Sequence, residues 1–283
     1  MHYAKPESLV STEWLAQHLD DPEIGIIDAS SNLPPQNWDF QREYLESHIP
    51  GAVRFNIDDI SDQSDPLPHM IPNAEDFAAK VGALGLGNGF RIVAYDSGNM
   101  MASCRAWWMF RLFGYDDVAI LSGGLAKWKR EKRPLEAGDV ATVSRTLTVN
   151  YRPELVRTME QMRGNMETAA EQVLDARSQG RFDATEPEVR PGIRSGHIPG
   201  SKCLHFPKLI NPETAEFLPA GDLQAAFEDG GVDLNQPIIG TCGSGVSACV
   251  LVLGLHLLGH EEYAVYDGSW TEWGGNPDNP IEP

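Results

Sequence analysis

One segment of the chain occurs twice, and this duplication limits the possible folds more than any other feature of the sequence. SHIPGAVRF at residues 47–55 returns as GHIPGSKCL at residues 196–204, which sets the two HIPG tetrapeptides 149 residues apart. IIDAS at 26–30 likewise resembles VLDARS at 173–178. Two longer similarities follow in the same order: RIVAYDSG at 91–98 with PIIGTCGSG at 237–245, and VAILSGGLAKW at 118–128 with YAVYDGSWTEW at 263–273. Matches that keep one order and nearly one offset indicate a duplicated domain.

Each copy alternates short apolar runs with helical patterns, which predicts an α/β fold. The apolar runs are continuous rather than alternating, as is typical of a parallel sheet that helices cover on both faces. We therefore expect two tandem domains of similar topology, residues 1–138 and 167–283, each a parallel sheet flanked by helices. Residues 139–166 are more polar and less periodic, and we interpret them as the connection between the domains.

Charge and cysteine content exclude several classes of protein. The formal net charge of −19 disfavours binding to nucleic acids and to anionic membranes, because their phosphate groups repel such a surface. The N-terminus lacks a basic region followed by an apolar core, and no apolar stretch is long enough to span a bilayer, so we expect a cytoplasmic protein. The four cysteines are too few and too irregularly spaced for a disulfide framework. Without a CxxC pair they predict no structural zinc, and we expect no metal and no cofactor.

A cysteine stands at the junction of an apolar run and a helical pattern in PIIGTCGSGVSACVLVLGLHLLGH, residues 237–260. PIIGT predicts a buried strand and SACVLVLGLHLLG a helix, so CGSGVS is the turn between them. Gly243 and Gly245 allow the turn to curl and to direct several N–H groups to one point above the helix N-terminus. The partial positive charge at that point favours a thiolate, which is the reactive form of Cys242.

A second interpretation of Cys242 stays open, since a free cysteine is most often a small buried hydrophobic residue. Cys249 provides an internal comparison, because it lies in an apolar run without flanking glycines. We expect Cys249 in the core. Cys104 and Cys203 carry no functional signal.

The run from Cys242 to Ala248, CGSGVSA, together with the two HIPG segments, resembles the two-domain sulfurtransferases of the rhodanese superfamily. Within that superfamily the loop is similar to that of enzymes that use 3-mercaptopyruvate, whereas enzymes that use thiosulfate place basic residues after the cysteine. The resemblance implies that Cys242 takes sulfur from 3-mercaptopyruvate as a persulfide, releases pyruvate, and passes the sulfur to a thiol, cyanide or thioredoxin. It also implies substrate contacts at four loop residues: Gly243, Gly245, Val246 and Ser247. A thiosulfate sulfurtransferase that releases sulfite is the alternative.

The same resemblance assigns site residues outside this loop. In RFNIDDISDQSDPLPHMIP, Asp58 and His69 match positions that form a proton relay with Ser244 of the loop. Such a relay would supply a proton, which the reaction requires because expelling sulfur from mercaptopyruvate leaves a pyruvate enolate. Asp59 and Asp62 lie close enough along the chain to be confused with Asp58.

Two arginines in DARSQGRFDATEPEVRPGIRSGHIPG, Arg181 and Arg190, match the substrate-binding arginines of the family that the chain resembles. A guanidinium suits the planar oxygen pair of a carboxylate better than a lysine does. Two neighbouring arginines, Arg177 and Arg194, are alternative candidates. Arg181 and Arg190 could instead form ordinary surface ion pairs with Glu186 or Glu188.

In the first copy, Asp96 takes the place of Cys242. A carboxylate cannot accept sulfur, so we expect the first domain to be catalytically inactive and to form half of an interdomain cleft. The HIPG histidines, His48 and His197, occur in both copies, and we expect each of them to hydrogen-bond to backbone rather than to substrate.

Two further functions are weighed against sulfur transfer. A cysteine-based phosphatase also surrounds a thiolate with N–H groups, but it needs an arginine six residues after the cysteine, and residue 248 is alanine. A nonenzymatic sulfur carrier would form a persulfide without turning it over, and it would not need the predicted cleft residues.

Overall fold

The computed structural model of the protein describes residues 1–31 and 38–283. Within these residues the chain forms two five-stranded sheets in which every pair of neighbouring strands is parallel. The strands of the first sheet are β1 (Leu9–Val10), β2 (Ile24–Asp28), β3 (Val53–Arg54), β4 (Arg91–Tyr95) and β5 (Val118–Leu121). Those of the second are β6 (Val156–Arg157), β7 (Gln172–Asp175), β8 (Lys202–Cys203), β9 (Ile238–Thr241) and β10 (Tyr263–Tyr266).

The two sheets have the same topology. Their orders are β1-β5-β4-β2-β3 and β6-β10-β9-β7-β8, so each strand of one sheet has a counterpart at the same place in the other. The duplication therefore reaches the level of strand order, and the predicted pair of parallel α/β domains is confirmed. Register brings the carboxyl ends of neighbouring strands together, since Asp28 pairs with Tyr95 in one sheet and Asp175 with Thr241 in the other.

Helices cover both faces of each sheet. Those of the first domain are α1 (Thr12–Gln17), α2 (Phe40–Glu46), α3 (Ile57–Ile60), α4 (Ala74–Ala83), α5 (Met101–Leu112) and α6 (Gly124–Arg130). Those of the second domain are α7 (Met159–Thr168), α8 (Gln179–Phe182), α9 (Ala220–Asp229), α10 (Ala248–Leu257) and α11 (Ser269–Gly275). Short 3-10 helices span Pro6–Ser8, Pro153–Leu155 and Phe206–Leu209. Across the described ranges, no helix combines the length and the apolar character needed to cross a membrane.

The segment between the domains is shorter than the predicted connection over residues 139–166. Val156–Arg157 pairs with β10 as an edge strand of the second sheet, and Met159–Thr168 forms the helix that follows it. The sequence shows weak periodicity here because a two-residue strand is too short to display one. The second domain thus includes residues that the sequence pattern alone places in the connection.

The domains pack through α5 and α10, whose buried residues belong to one continuous core. Every residue of α10 is buried, and so is nearly all of α5. A helix that is apolar on all sides is typical of such a central position. Arg105 is a fully buried cation within α5.

The HIPG histidines are structural, as predicted. His48 Nδ1 lies 2.7 Å from the carbonyl oxygen of Tyr44, and His197 Nδ1 lies 2.9 Å from that of Phe182. Each imidazole also stacks on the ring of the same partner, with ring centroids 4.2 Å and 3.7 Å apart. The equivalent contacts in both domains explain why the motif is repeated in a domain without a cysteine at the loop position.

Candidate active site

The loop that carries Cys242 connects the buried strand β9 to the buried helix α10. Cys242 is 2% exposed. The N–H groups of Cys242 and Gly245 both donate to the hydroxyl oxygen of Ser269, at 3.1 and 3.0 Å. That hydroxyl in turn donates to the carbonyl oxygen of Tyr266 at 2.7 Å. One side chain after β10 therefore holds the curl of the loop.

The two loop glycines serve different purposes. Gly245 has φ +73°, and a Cβ there would lie 2.6 Å from the carbonyl oxygen of Asp267. Glycine is therefore required at Gly245 on both backbone and packing grounds. Gly243 lies outside the left-handed region, so it does not use the conformational freedom that the sequence pattern suggested for it. A Cβ at Gly243 would instead lie 3.3 Å from Nη2 of Arg181.

Several other N–H groups of the loop remain available as donors. Within residues 1–31 and 38–283, those of Gly243, Ser244, Val246 and Ser247 donate to no protein acceptor. They lie at the N-terminal end of α10, where the helix dipole favours negative charge. The arrangement suits an anion at the Cys242 side chain or on a group bound to it.

Ser244 meets the predicted relay residues across the domain interface. His69 Nδ1 lies 2.9 Å from Ser244 Oγ, and His69 Nε2 lies 3.1 Å from Asp58 Oδ1. The hydrogen bond with His69 holds the pKa of the Asp58 carboxyl below its usual value. Asp59 and Asp62 are engaged elsewhere, by Asn56 and by Ser64. The structure thus selects Asp58 among the three neighbouring carboxylates and joins it, through His69, to the cysteine loop.

A cavity of about 240 Å³ opens over the loop. Its walls include the loop residues Cys242, Gly243, Ser244, Val246 and Ser247 and both predicted arginines, Arg181 and Arg190. Asn99 and Met101 of the first domain also line it, so the cavity is an interdomain cleft. Gly245 is the one predicted loop contact that does not line it.

The two predicted arginines differ in their partners. Arg181 Nη2 lies 2.6 Å from Glu188 Oε2, so one of the alternative ion pairs does form. Arg190 Nη2 donates to Ser244 Oγ at 3.4 Å and forms no ion pair with any described residue. Burial lowers the pKa of the Arg190 guanidinium, and the nearby Cys242 and Asp58 oppose that effect. The cleft therefore contains one cation whose charge is not neutralised by a carboxylate contact.

The alternative arginines are committed to structure. Arg177 is buried in ion pairs with Asp175 and Glu188, both at 2.6 Å, and its guanidinium lies over the ring of Trp270. Arg194 donates to backbone carbonyls near the C-terminus, among them Gly274 at 3.0 Å. Arg177 lines the cleft, but two carboxylates already hold its guanidinium, and Arg194 is not among the lining residues.

Comparison with protein families agrees with this architecture. The rhodanese-like domain model matches residues 11–131 and again residues 158–276. The chain belongs to the rhodanese family.

Curated relatives in this family cover nearly the whole chain. A protein of Escherichia coli K12 named 3-mercaptopyruvate sulfurtransferase is 43% identical over 97% of this chain and 97% of its own length. The human protein of that name is 41% identical over 94% of this chain and 91% of its own length. A crystal structure of Escherichia coli SseA, described as a 3-mercaptopyruvate sulfotransferase, superposes with a TM-score of 0.86 at 40% identity, over 93% of this chain and 98% of that one.

In this rhodanese-family chain the other three cysteines are poor candidates for the nucleophile. Burial raises the pKa of the Cys249 thiol to about 12 and that of Cys203 to about 11. Burial also raises the pKa of Cys104 well above its usual value. The prediction that Cys249 belongs to the core is confirmed by its complete burial. Among the described residues, no group of three or more His, Cys, Asp or Glu side chains is arranged to hold a metal ion.

Two residues that shape the rhodanese loop were not predicted from the sequence. Ser269 binds two loop N–H groups, and Thr271 Oγ1 and N both donate to the carbonyl oxygen of Gly243, at 2.6 and 2.9 Å. Both lie beyond β10, in the repeated segment YAVYDGSWTEW. The available signal was the difference between the two copies, since Ser269 replaces a glycine of the first copy.

Proposed function

We propose that the protein is a sulfurtransferase that moves sulfur from 3-mercaptopyruvate through a persulfide on Cys242 to an acceptor, releasing pyruvate. The observation that carries this proposal is the convergence on one cleft of a buried cysteine, a cation without a carboxylate partner and a Ser–His–Asp chain. The near full-length similarity to proteins named 3-mercaptopyruvate sulfurtransferase supports the same donor.

The first half-reaction transfers the thiol sulfur of mercaptopyruvate to the Cys242 thiolate. A bond forms between the two sulfur atoms while the carbon–sulfur bond of the substrate breaks, and its electron pair remains on the carbon as pyruvate enolate. The enolate then takes up one proton to give pyruvate. Arg190 binds the substrate carboxylate in this proposal and Arg181 borders it, which the position of both side chains in the cleft lining supports.

The proton reaches the enolate through Ser244. The Ser244 hydroxyl lines the cleft and lies within hydrogen-bond distance of His69. Ser244 gives its proton to the enolate and takes one from the imidazolium form of His69, whose charge Asp58 stabilises. Free N–H groups of the loop stabilise the anionic forms of sulfur at Cys242 before and after transfer.

In the second half-reaction an acceptor thiolate, or cyanide, attacks the outer sulfur of the persulfide and regenerates the Cys242 thiolate. Thioredoxin or a low-molecular-weight thiol has the required chemistry. A cytoplasmic location, which the sequence predicts, would supply such thiols in reduced form.

Thiosulfate is a weaker match to the cleft than mercaptopyruvate is. A dianionic donor calls for positive charge beside the sulfur, yet residues 243–248 contain no cation and Glu188 occupies the Arg181 guanidinium. We therefore propose thiosulfate transfer only as a secondary activity.

Intact-mass measurement tests the proposal directly. Mixing the protein with 3-mercaptopyruvate in the absence of an acceptor should add one sulfur atom, located on Cys242 by peptide mapping, with pyruvate formed in equal amount. The Cys249→Ser variant should gain the same mass. An unmodified protein, or sulfur found on another cysteine, would overturn the proposed function.

A further inference from the structure

A buried ion pair joins the two domains beside the relay. Arg105 of α5 in the first domain lies 2.7 Å from Oδ1 of Asp267, which follows β10 in the second domain. Their side chains are 1% and 4% exposed. The Arg105 guanidinium also lies over the ring of Trp108, at 4.6 Å from its centroid. Burying two charges is costly, so a pair of this kind needs a reason beyond stability.

The pair holds the backbone of the relay histidine from both sides. Arg105 Nη2 donates to the carbonyl oxygen of His69 at 2.6 Å, and Asp267 Oδ2 accepts from the N–H of Ile71 at 2.8 Å. His69 itself has φ +64°, a left-handed conformation that is unfavourable for a residue with a side chain. Such a conformation persists only where the surroundings impose it. Here the hydrogen bonds at the His69 carbonyl oxygen and the Ile71 N–H impose it.

The same guanidinium also contacts the cysteine loop. Arg105 Nη1 donates to the carbonyl oxygen of Gly245 at 3.1 Å. Arg105 therefore binds one peptide next to Ser244 and one peptide at His69, the two residues whose side chains meet at 2.9 Å across the domain interface. The two terminal nitrogens of the Arg105 guanidinium therefore hold the backbone on both sides of the His69–Ser244 hydrogen bond.

We infer that Arg105, oriented by Asp267, is a positioning residue that sets the His69–Ser244 contact and so controls proton delivery in the first half-reaction. Neither side chain lines the cleft, so the pair affects the reaction only by setting the contact between His69 and Ser244. This inference rests on the proposed function, because it concerns a step of that reaction.

The Arg105→Lys variant separates positioning from simple stabilisation. Lysine keeps the positive charge beside Asp267, but its donors leave from one nitrogen and cannot reproduce the fork that spans His69 and Gly245. We expect kcat for pyruvate release from mercaptopyruvate to fall on the order of 10²-fold, with little change in KM and in the melting temperature. Arg111→Lys, on the same helix and paired with Asp116 at 3.0 Å, is the matched control and should keep the wild-type kcat.

A double-mutant cycle with His69→Asn tests whether Arg105 acts through the histidine. If it does, Arg105→Lys will lower kcat in the wild-type background and leave the already reduced kcat of His69→Asn unchanged. Independent, multiplicative losses would overturn the inference. The rate of Cys242 alkylation by iodoacetamide should stay at the wild-type value in Arg105→Lys, because the thiol itself is not disturbed. A matching fall in alkylation would overturn the inference as well, since Arg105 would then shape the loop rather than the relay.

A second variant covers the case in which lysine is not tolerated. Arg105→Met combined with Asp267→Leu replaces both charges by apolar side chains, an exchange that buried pairs generally accept without loss of stability. The same selective loss of kcat is expected. Wild-type kcat in either folded variant would overturn the inference while leaving the proposed function intact. Absence of sulfur on Cys242 of the wild-type protein would instead refute the proposed function.

Discussion

The loops after β4 and β9 occupy equivalent places in the two domains, yet the N–H groups of the two loops donate to different kinds of acceptor. In the first domain, Asp96 Oδ1 accepts from the N–H groups of Gly98 and Met100, at 3.0 and 3.1 Å. Asp96 Oδ2 accepts from the N–H and the hydroxyl of Ser103, at 3.0 and 2.9 Å. The loop is thus filled by a carboxylate of its own.

In the second domain, a hydroxyl outside the loop accepts from part of the loop N–H groups. Ser269 takes two loop N–H groups, and the first domain has Gly124 at the corresponding place. The residues that follow Gly124 and Ser269 make equivalent hydrogen bonds, which supports this correspondence. The N–H of Leu125 donates to the carbonyl oxygen of Asp96 at 3.0 Å, and that of Trp270 to the carbonyl oxygen of Cys242 at 2.9 Å. Gly124 and Ser269 also share a left-handed backbone, with φ +54° and +49°.

The difference shows how a duplicated fold divides its roles. An internal anion saturates the donors of the first loop, which leaves that domain to form the wall of the cleft through Asn99 and Met101. An external hydroxyl keeps the second loop curled while the side chain at its start stays free for chemistry. We therefore expect activity to depend on which group accepts from the loop N–H groups, as well as on the cysteine.

The largest effect is expected from Cys242→Asp, which gives the second loop the anion of the first. Sulfur transfer should fall to background, since a carboxylate cannot form a persulfide. The fold should remain, because the loop N–H groups gain an acceptor. Steady-state pyruvate formation and thermal unfolding measure the two effects. Cys249→Ser should retain substantial activity, and an active Cys242→Asp variant would break the comparison between the loops.

The next largest effect concerns the arginines of the second-domain cleft, which have no counterpart lining the Asp96 loop among the described residues. Arg190→Lys should lower kcat/KM for mercaptopyruvate on the order of tenfold to a hundredfold, through loss of a forked contact to the carboxylate. Arg181→Lys should have the smaller effect of the two, because Glu188 already holds that guanidinium. Unchanged kinetics in both variants would remove these arginines from the substrate site.

Ser269→Gly copies the first domain at the position that holds the second loop. Two buried N–H groups lose their acceptor, which should cost about 2 kcal/mol in the free energy of unfolding and lower kcat roughly tenfold as the loop loosens. Thr271→Val is the matched variant with a smaller effect, since the Gly243 carbonyl still accepts from the backbone N–H of residue 271 at 2.9 Å. Equal losses in chemical denaturation of both variants would contradict the special role of Ser269.

The smallest effect on activity is expected from Asp96→Asn in the first loop. An amide cannot accept from Ser103 and from Gly98 and Met100 at once, so the free energy of unfolding should fall by about 2 kcal/mol. Because Asp96 does not contact the cleft lining at Cys242, kcat should change little. Asp233→Asn, at an exposed carboxylate in a surface turn, should leave both quantities unchanged. A large fall in kcat would show that the first loop takes part in the chemistry.

Much of this architecture could be predicted from local pattern. The continuous apolar runs at β2, β4, β7 and β9 identified parallel strands, and the HIPG repeat identified the duplication. The two-residue strand β6 could not be found, because its place in the sheet depends on pairing with β10 and not on its own sequence.

The site was predicted in part. A strand, a glycine-rich turn and a helix that are adjacent in the chain indicated a reactive Cys242 and left a buried structural cysteine open. Its proposed role in sulfur transfer, like those of Asp58, His69, Arg181 and Arg190, came from family resemblance. Arg105 gave no positive signal, since one cation inside an apolar helix does not reveal its partner. Its acceptors at His69, Gly245 and Asp267 lie 36 to 162 positions away along the chain.

The sequence by itself determined the two parallel sheets, the place of the proposed nucleophile and the inactivity expected of the first copy, because each depends on residues that are neighbours along the chain or on the repeat. Only the tertiary structure decided which carboxylate completes the relay, which arginine keeps its charge free and what holds the cysteine loop in shape. His69 and Ser244 are 175 positions apart, and they meet because α5 and α10 pack the two domains together. Contacts of that separation are set by domain packing, which local patterns of hydrophobicity do not encode.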